Sequence, residues 1–261
     1  MIRLNNFLNQ QKLLLLSLSA IGIIVAPSQA SAFSLVNRDS LTDKQFNDLL
    51  ITKEYTETFV AESRMGNNSL GTAERELGIN SALLPNAVGQ LIGGNPVASG
   101  QRTWTSGTPV DFILEYNGSV VNYTVGSQKI SSTALTGAAT DIFLRTFAQK
   151  NSSSTSNITS TLTNLVLNGK AVGKSLSSAG TAISGDVDYL QISNITSPFK
   201  LTGQSIFSWT GTAPQRSNLA YQIKVTSGAT SVPEPGTVAA LIVASGMGIA
   251  GAKRKKPGFC F

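Results

Sequence analysis

Strict alternation of apolar and polar residues is the clearest pattern in this chain. Val110, Phe112, Leu114 and Tyr116 alternate with Asp111, Ile113 and Glu115, and Val121, Tyr123 and Val125 resume the pattern after Asn117-Gly118. A period of two buries one face of a strand, and Asn-Gly is the favoured pair for a two-residue hairpin turn. With that turn Leu114 faces Val121, Phe112 faces Tyr123 and Val110 faces Val125. Turn and alternation then agree on one apolar face. Asn168-Gly169 predicts a second, shorter hairpin with Leu165 opposite Val172.

Further aromatic and β-branched runs predict strands at Tyr55–Ala61, Asp141–Ala148, Ser160–Leu167, Val187–Ile192, Phe199–Leu201, Ser205–Trp209 and Ala220–Val225. Glu74–Ile79 fits a short strand or a helical turn. Residues 85–100 read as irregular loop, and the polar run 151–157 as an exposed one. Helical signals occur once in the body. Thr42 followed by Gln45 is a capping box, Leu41 and Phe46 form a hydrophobic staple, and Phe46, Leu49 and Leu50 share one face. Residues 33–228 therefore read as mainly β, an antiparallel β-sandwich or jelly-roll-like domain with a short N-terminal helix.

Both ends have a different character. Residues 1–32 carry Arg3 and Lys12, an apolar stretch from Leu13 to Ala26, and Ala30-Ser31-Ala32. These are the parts of a secretory signal peptide cut after Ala32, with Ala30 and Ala32 as the small-residue site. At the other end, residues 229–256 hold Val232-Pro233-Glu234-Pro235-Gly236, an apolar run Thr237–Ala252, and Lys253-Arg254-Lys255-Lys256, with 257–261 as a tail. The 16-residue run would form a transmembrane helix of about 24 Å, short against a hydrocarbon core of ~30 Å. The basic end is expected to stay in the cytoplasm.

Charge changes the picture little once the ends are set aside. Of 20 basic residues six lie in the end segments, leaving 14 against 13 acids in residues 33–228. The body is nearly neutral despite a net charge of +6, so no basic footprint points to nucleic acid. The chain has no histidine, and its one cysteine is Cys260. Ser-His-Asp and Cys-His catalysis, histidine-bound zinc and disulfides within the body are thereby excluded, and no cofactor is implied.

What chemistry remains is carboxylate chemistry. Glu57, Glu62, Glu74, Glu76, Asp111 and Glu115 are candidates for the pair a glycoside hydrolase needs. Asp186 and Asp188 form an Asp-x-Asp beside Gly185, a weak Ca²⁺ candidate. Among Trp104, Tyr116, Tyr123, Trp209 and Tyr221, strand patterning assigns all but Trp104 to packing, which leaves Trp104 as the candidate glycan contact.

The C-terminal block resembles the PEP-CTERM sorting signal of exported bacterial proteins, also known as the ice-binding-protein C-terminal motif. Val232, Pro233, Glu234 and Pro235 match its motif, Thr237–Ala252 its membrane segment, and Lys253, Arg254, Lys255 and Lys256 its basic end. Phe259-Cys260-Phe261 extends beyond that pattern. The resemblance implies processing by an exosortase and delivery to the cell surface or extracellular matrix. The body is similar to the choice-of-anchor extracellular domains, type W, through Glu57–Arg64, Glu76–Ile79, Gly185–Ile192 and Ser208–Gly211. That similarity implies an extracellular β-rich module without assigned activity.

The expectation is an exported, transiently membrane-anchored protein, structural or adhesive or associated with exopolysaccharide. Its processing partners are signal peptidase and exosortase, and it is not an enzyme. The alternatives are a secreted glycan-active hydrolase using a carboxylate pair, and a surface protein whose membrane anchor is permanent.

Overall fold

Asn168 and Gly169 both adopt positive φ, +50° and +79°, as a type I′ turn requires. Their hairpin forms in the expected register, with Val172 N donating to Leu165 O at 2.8 Å. It belongs to a computed structural model that describes residues 33–66, 76–150, 155–181 and 185–228. The expected signal peptide and the whole sorting block lie outside the described residues, as does Glu74.

From the N-terminal side run β1 (Ser34–Asn37), α1 (Asp43–Ile51), β2 (Tyr55–Met65), β3 (Leu77–Ser81), β4 (Leu83–Pro85), β5 (Leu91–Gly93), β6 (Pro96–Gly100), β7 (Val110–Tyr116), β8 (Val121–Val125) and β9 (Gln128–Ser132). Then follow β10 (Asp141–Ala148), β11 (Thr155–Leu167), β12 (Lys170–Ala171), β13 (Leu176–Ala179), β14 (Asp186–Ser193), β15 (Phe199–Gly211) and β16 (Leu219–Gly228). One sheet has the order β1-β14-β10-β16-β2-β3-β6. The second runs β12-β11-β15-β7-β8-β9, with β13 also paired to β11, while β4 and β5 form a separate hairpin. The pairings are antiparallel.

The two sheets share one core, which makes the domain a β-sandwich. Phe59, Ile142, Leu144, Leu190 and Ile223 of the first sheet pack with Phe112, Leu114, Leu162, Leu201 and Phe207 of the second. Hydroxyl groups also tie the sheets together. Ser63 Oγ lies 2.7 Å from Tyr123 OH, and Tyr123 donates to Tyr221 OH at 2.8 Å. Thr146 and Ser178 hydroxyls meet at 2.8 Å, and Ser160 donates to Ala220 O at 2.9 Å. Tyr116, Tyr123 and Tyr221 are thus interior residues, and Trp209 packs against the core edge. Among the described residues the buried hydrophobic side chains run from Phe46 to Val225.

The fold departs from the sequence reading in three places. In the β7–β8 hairpin Phe112 pairs with Val125, Leu114 with Tyr123 and Tyr116 with Val121. The register is shifted by two, because Gly118-Ser119 is the central pair of the turn. Gly118 takes φ +96°, and Asn117 Oδ1 accepts from Ser119 N at 3.0 Å and Val120 N at 2.7 Å. An even shift keeps the apolar face intact, so alternation alone could not detect it. Secondly, Phe199–Leu201 and Ser205–Trp209 are one strand, β15. Gly203 between them is no break: it admits the Phe112 ring and Leu165, whose atoms lie 2.8 Å from where a Cβ would stand. Thirdly, residues 85–100, expected as irregular loop, hold the end of β4 and all of β5 and β6; β1 adds a strand before the helix.

Gly203→Val is expected to overpack this contact and cost about 1–3 kcal/mol. Urea denaturation of the two proteins measures the difference, and an unchanged midpoint would contradict the assigned role of Gly203.

Candidate functional site

The helix appears as the capping signals predict. Gln45 N donates to Thr42 Oγ1 at 3.2 Å, and Thr42 N donates to Gln45 Oε1 at 2.8 Å. Leu41 packs at the edge of a cluster formed by Phe46, Leu50, Phe143 and Tyr189. α1 thereby lies on the outer face of the first sheet, which gives β10 buried residues on both faces.

That covered face carries charge. Arg145, 9% exposed, donates through Nε to Asp43 Oδ1 at 2.6 Å and through Nη2 to Oδ2 at 2.5 Å. Tyr189 OH adds a hydrogen bond to Asp43 at 2.7 Å. Burial alone would raise the Asp43 carboxyl, but the Arg145 and Tyr189 hydrogen bonds and the Arg145 charge outweigh it and hold the group below its usual 3.8. Further along the face, Gln191 Nε2 donates to both Tyr55 OH and Asp141 Oδ1 at 2.8 Å.

A local irregularity brings a second acid onto this face. Phe59 pairs with Val225 but Glu57 with Thr226, so Thr58 is an extra, bulged residue in β2. Without the bulge Glu57 would point inward with Phe59 and Ala61. With it, Glu57 joins Glu62 and Arg64 on the outer face beside Lys224. Leu83 N, at the start of β4, donates to Glu57 Oε1 at 2.9 Å. The other carboxylate oxygen, Oε2, is buried with no hydrogen bond among the described residues. Lys224 Nζ stands 3.7 Å from it, with side-chain exposures of 7% for the lysine and 0% for the acid. The ammonium also lies 4.7 Å from the centre of the Phe46 ring. Burial pushes the Lys224 pKa down, and the Glu57 charge only partly restores it.

Glu57, Glu62, Arg64, Asn80, Gln222 and Lys224 line a cleft of about 380 Å³. Gln222 Nε2 donates to Glu62 Oε2 at 3.1 Å, and Arg64 lies 3.7 Å from Glu62 Oε1. Opposite Glu62 stands Gly78, where a Cβ would come within 3.2 Å of the Glu62 carboxylate. The cleft's two acids are thus matched by two bases.

The other expected site residues are placed elsewhere. Asp111 accepts from Gln204 at 2.9 Å, and Glu115 pairs with Lys200 at 3.0 Å, both on β7 of the second sheet. Glu76 accepts from Gly66 N at 3.2 Å. Of the candidate carboxylates, Glu57 and Glu62 line one cleft together. Asp186 and Asp188 serve a strand edge: Asp186 accepts from Ala179 N at 2.7 Å and Asp188 from Ser177 N at 3.2 Å. Among the described residues no three acids, histidines or cysteines gather as a metal site. Trp104 is 6% exposed, its ring 4.5 Å from that of Phe207 and beneath the Arg102 guanidinium at 5.0 Å. It offers no open face for a sugar, because a core aromatic and a cation already occupy it.

No protein-family model matches the chain, and comparison with curated proteins finds no match.

The Asp43 pairing sets a pH dependence. An acid whose folded pKa is depressed contributes stability above its unfolded value, and that contribution is lost as pH falls through the folded one. Stability is therefore expected to drop below about pH 4. Asp43→Asn should cost roughly 1–2 kcal/mol at neutral pH, between the exposed and buried limits for ion pairs, and flatten the acid limb. Asp39, held low by its hydrogen bond from Lys174, leaves a residual slope. Urea titrations from pH 2 to 7 measure both effects; an unaltered acid limb in the variant would rule out Asp43 as its source.

Proposed function

We propose that this chain is an exported surface or extracellular-matrix protein, sorted through its C-terminal block and acting as a non-catalytic, saccharide-associated β module. The single observation that carries the reading is the ordered tail: Pro233-Glu234-Pro235, the apolar run Thr237–Ala252, then Lys253–Lys256. The described strands run from β1 (Ser34) to β16 (Gly228), so cutting at both places would leave each of them whole. A body without thiols or histidines also suits a protein that needs neither disulfide formation nor metal loading after export.

Glu57 and Glu62 favour a second reading, a glycan hydrolase, because the bulge at Thr58 turns Glu57 onto the face that Glu62 already occupies, and both line one cleft. In that case Glu57→Gln or Glu62→Gln would lower turnover by about a hundredfold or more. The binding reading expects no hydrolysis product from the unmodified protein.

Cell fractionation with terminal peptide mapping tests export and sorting. Processed protein should begin at Phe33 and lack Lys253–Lys256 in the surface fraction, while Glu234→Ala should retain the tail and remain with membranes. A Lys253-Arg254 peptide recovered from the surface fraction would support a permanent anchor. Full-length, uncut protein in the cytosol would overturn the reading altogether.

A further inference from the structure

We infer that the cleft between β2, β3 and β16, floored by Glu57 and Lys224, binds a neutral saccharide. The inference gives the binding part of the preceding reading a site, and rests on that reading only for its choice of sugars among polyhydroxylated ligands.

Three observations select the chemistry. First, the cleft holds about 380 Å³, within the ~300–1,000 Å³ range of small-molecule sites. Secondly, its charges cancel. Glu57 faces Lys224 and Glu62 faces Arg64, so an anionic or cationic ligand would bring in a charge for which no counter-charge is left over. Burying an unmatched charge is costly, and a neutral ligand avoids the cost. Thirdly, hydrogen-bonding capacity is left over. Among the described residues Lys224 Nζ has an ion pair and a ring face but no hydrogen bond, although the residue is only 6% exposed. Glu57 Oε2, buried beneath it, lacks a hydrogen-bond partner and holds the ammonium by charge alone. Asn80 and Gln222 add amide groups to the wall.

A wall that supplies donors and acceptors with no net charge matches groups that both donate and accept, which is what sugar hydroxyls do. Lys224 and the two amides are the contact groups. Glu57, closed to solvent, is a positioning residue: it fixes the ammonium between its carboxylate and the Phe46 ring. Gly78 keeps the Glu62 side of the cleft open, since any larger residue would press on the carboxylate.

The test uses the protein labelled with ¹⁵N and titrated with cellobiose, maltose, lactose and digalacturonic acid. At least one neutral disaccharide should shift the amides of Val60, Asn80 and Gln222, and digalacturonic acid should not. Asn80→Ala should weaken binding severalfold without altering the rest of the spectrum. Lys224→Met alone would strand a buried carboxylate, so it is combined with Glu57→Gln, which removes both charges and keeps the shape. That double variant should bind about tenfold more weakly or worse. Binding of the uronate alone, no shift at these amides with any of the four, or full affinity in the folded double variant would each overturn the inference. Terminal mapping judges export independently, so either proposal can fail without the other.

Discussion

The arrangement of this domain depends on one ion pair. A guanidinium near the middle of a sheet face has to find a carboxylate before anything can cover it, and Arg145 finds Asp43. Asp43 lies in the first turn of α1, where a negative charge also suits the helix dipole. Docking this turn sets Phe46 against Phe143 and Tyr189 at ring separations of 5.1 and 5.7 Å. It also brings Phe46 over Lys224. A polar sheet face thus becomes an interior, and its remaining charges must be matched or left with spare hydrogen-bonding capacity. In the cleft the charges are matched and hydrogen-bonding capacity is left over.

Such pairs contribute less to net stability than their geometry suggests, because desolvation offsets most of the attraction. Their effect here is on arrangement. An apolar outer face would hold a helix at many rotations, whereas a bidentate contact admits few. The same economy appears in the core. No thiol is available in the body, and hydroxyl contacts such as Ser63–Tyr123–Tyr221 hold one sheet in register over the other. At the β13 edge, Asp186 and Asp188 take backbone N–H groups that would otherwise invite a further strand. Burial pushes the Asp188 carboxyl up, so its charged form is the costly one there.

How far the sequence could be read follows from which interactions are local. Capping of α1, the Asn168-Gly169 turn and the alternation of β7 and β8 involve residues close in the chain, and each was legible. The register of the β7–β8 hairpin depended on which side of Gly118 the turn was centred, and apolar periodicity is blind to an even shift. Gly203 looked like a break because its neighbour, the Phe112 ring, comes from a strand some ninety residues away. The cleft was hidden for two reasons. Lys224 alternates correctly with Ile223 and Val225 and so reads as solvent-facing, and nothing nearby announces that α1 will cover it. Glu57 changes faces only through a bulge at Thr58, which hydrogen-bonds to Ala138 O, 80 positions away.

The bulge at Thr58 links the cleft to the fold. A bulge costs ladder hydrogen bonds and is retained where it re-aims a side chain. Here it turns one acid away from an apolar core, where an unpaired carboxylate could not persist, and toward a lysine on the next strand. The Phe46 ring covers the lysine, and Leu83 at the start of β4 holds the acid. Removing the bulge would therefore move Glu57 and strip Lys224 of its counter-charge in one step. Fold and cleft are specified by the same few residues, so a sequence that keeps the sandwich while losing Thr58, Glu57 and Lys224 together would have kept the scaffold and abandoned the site.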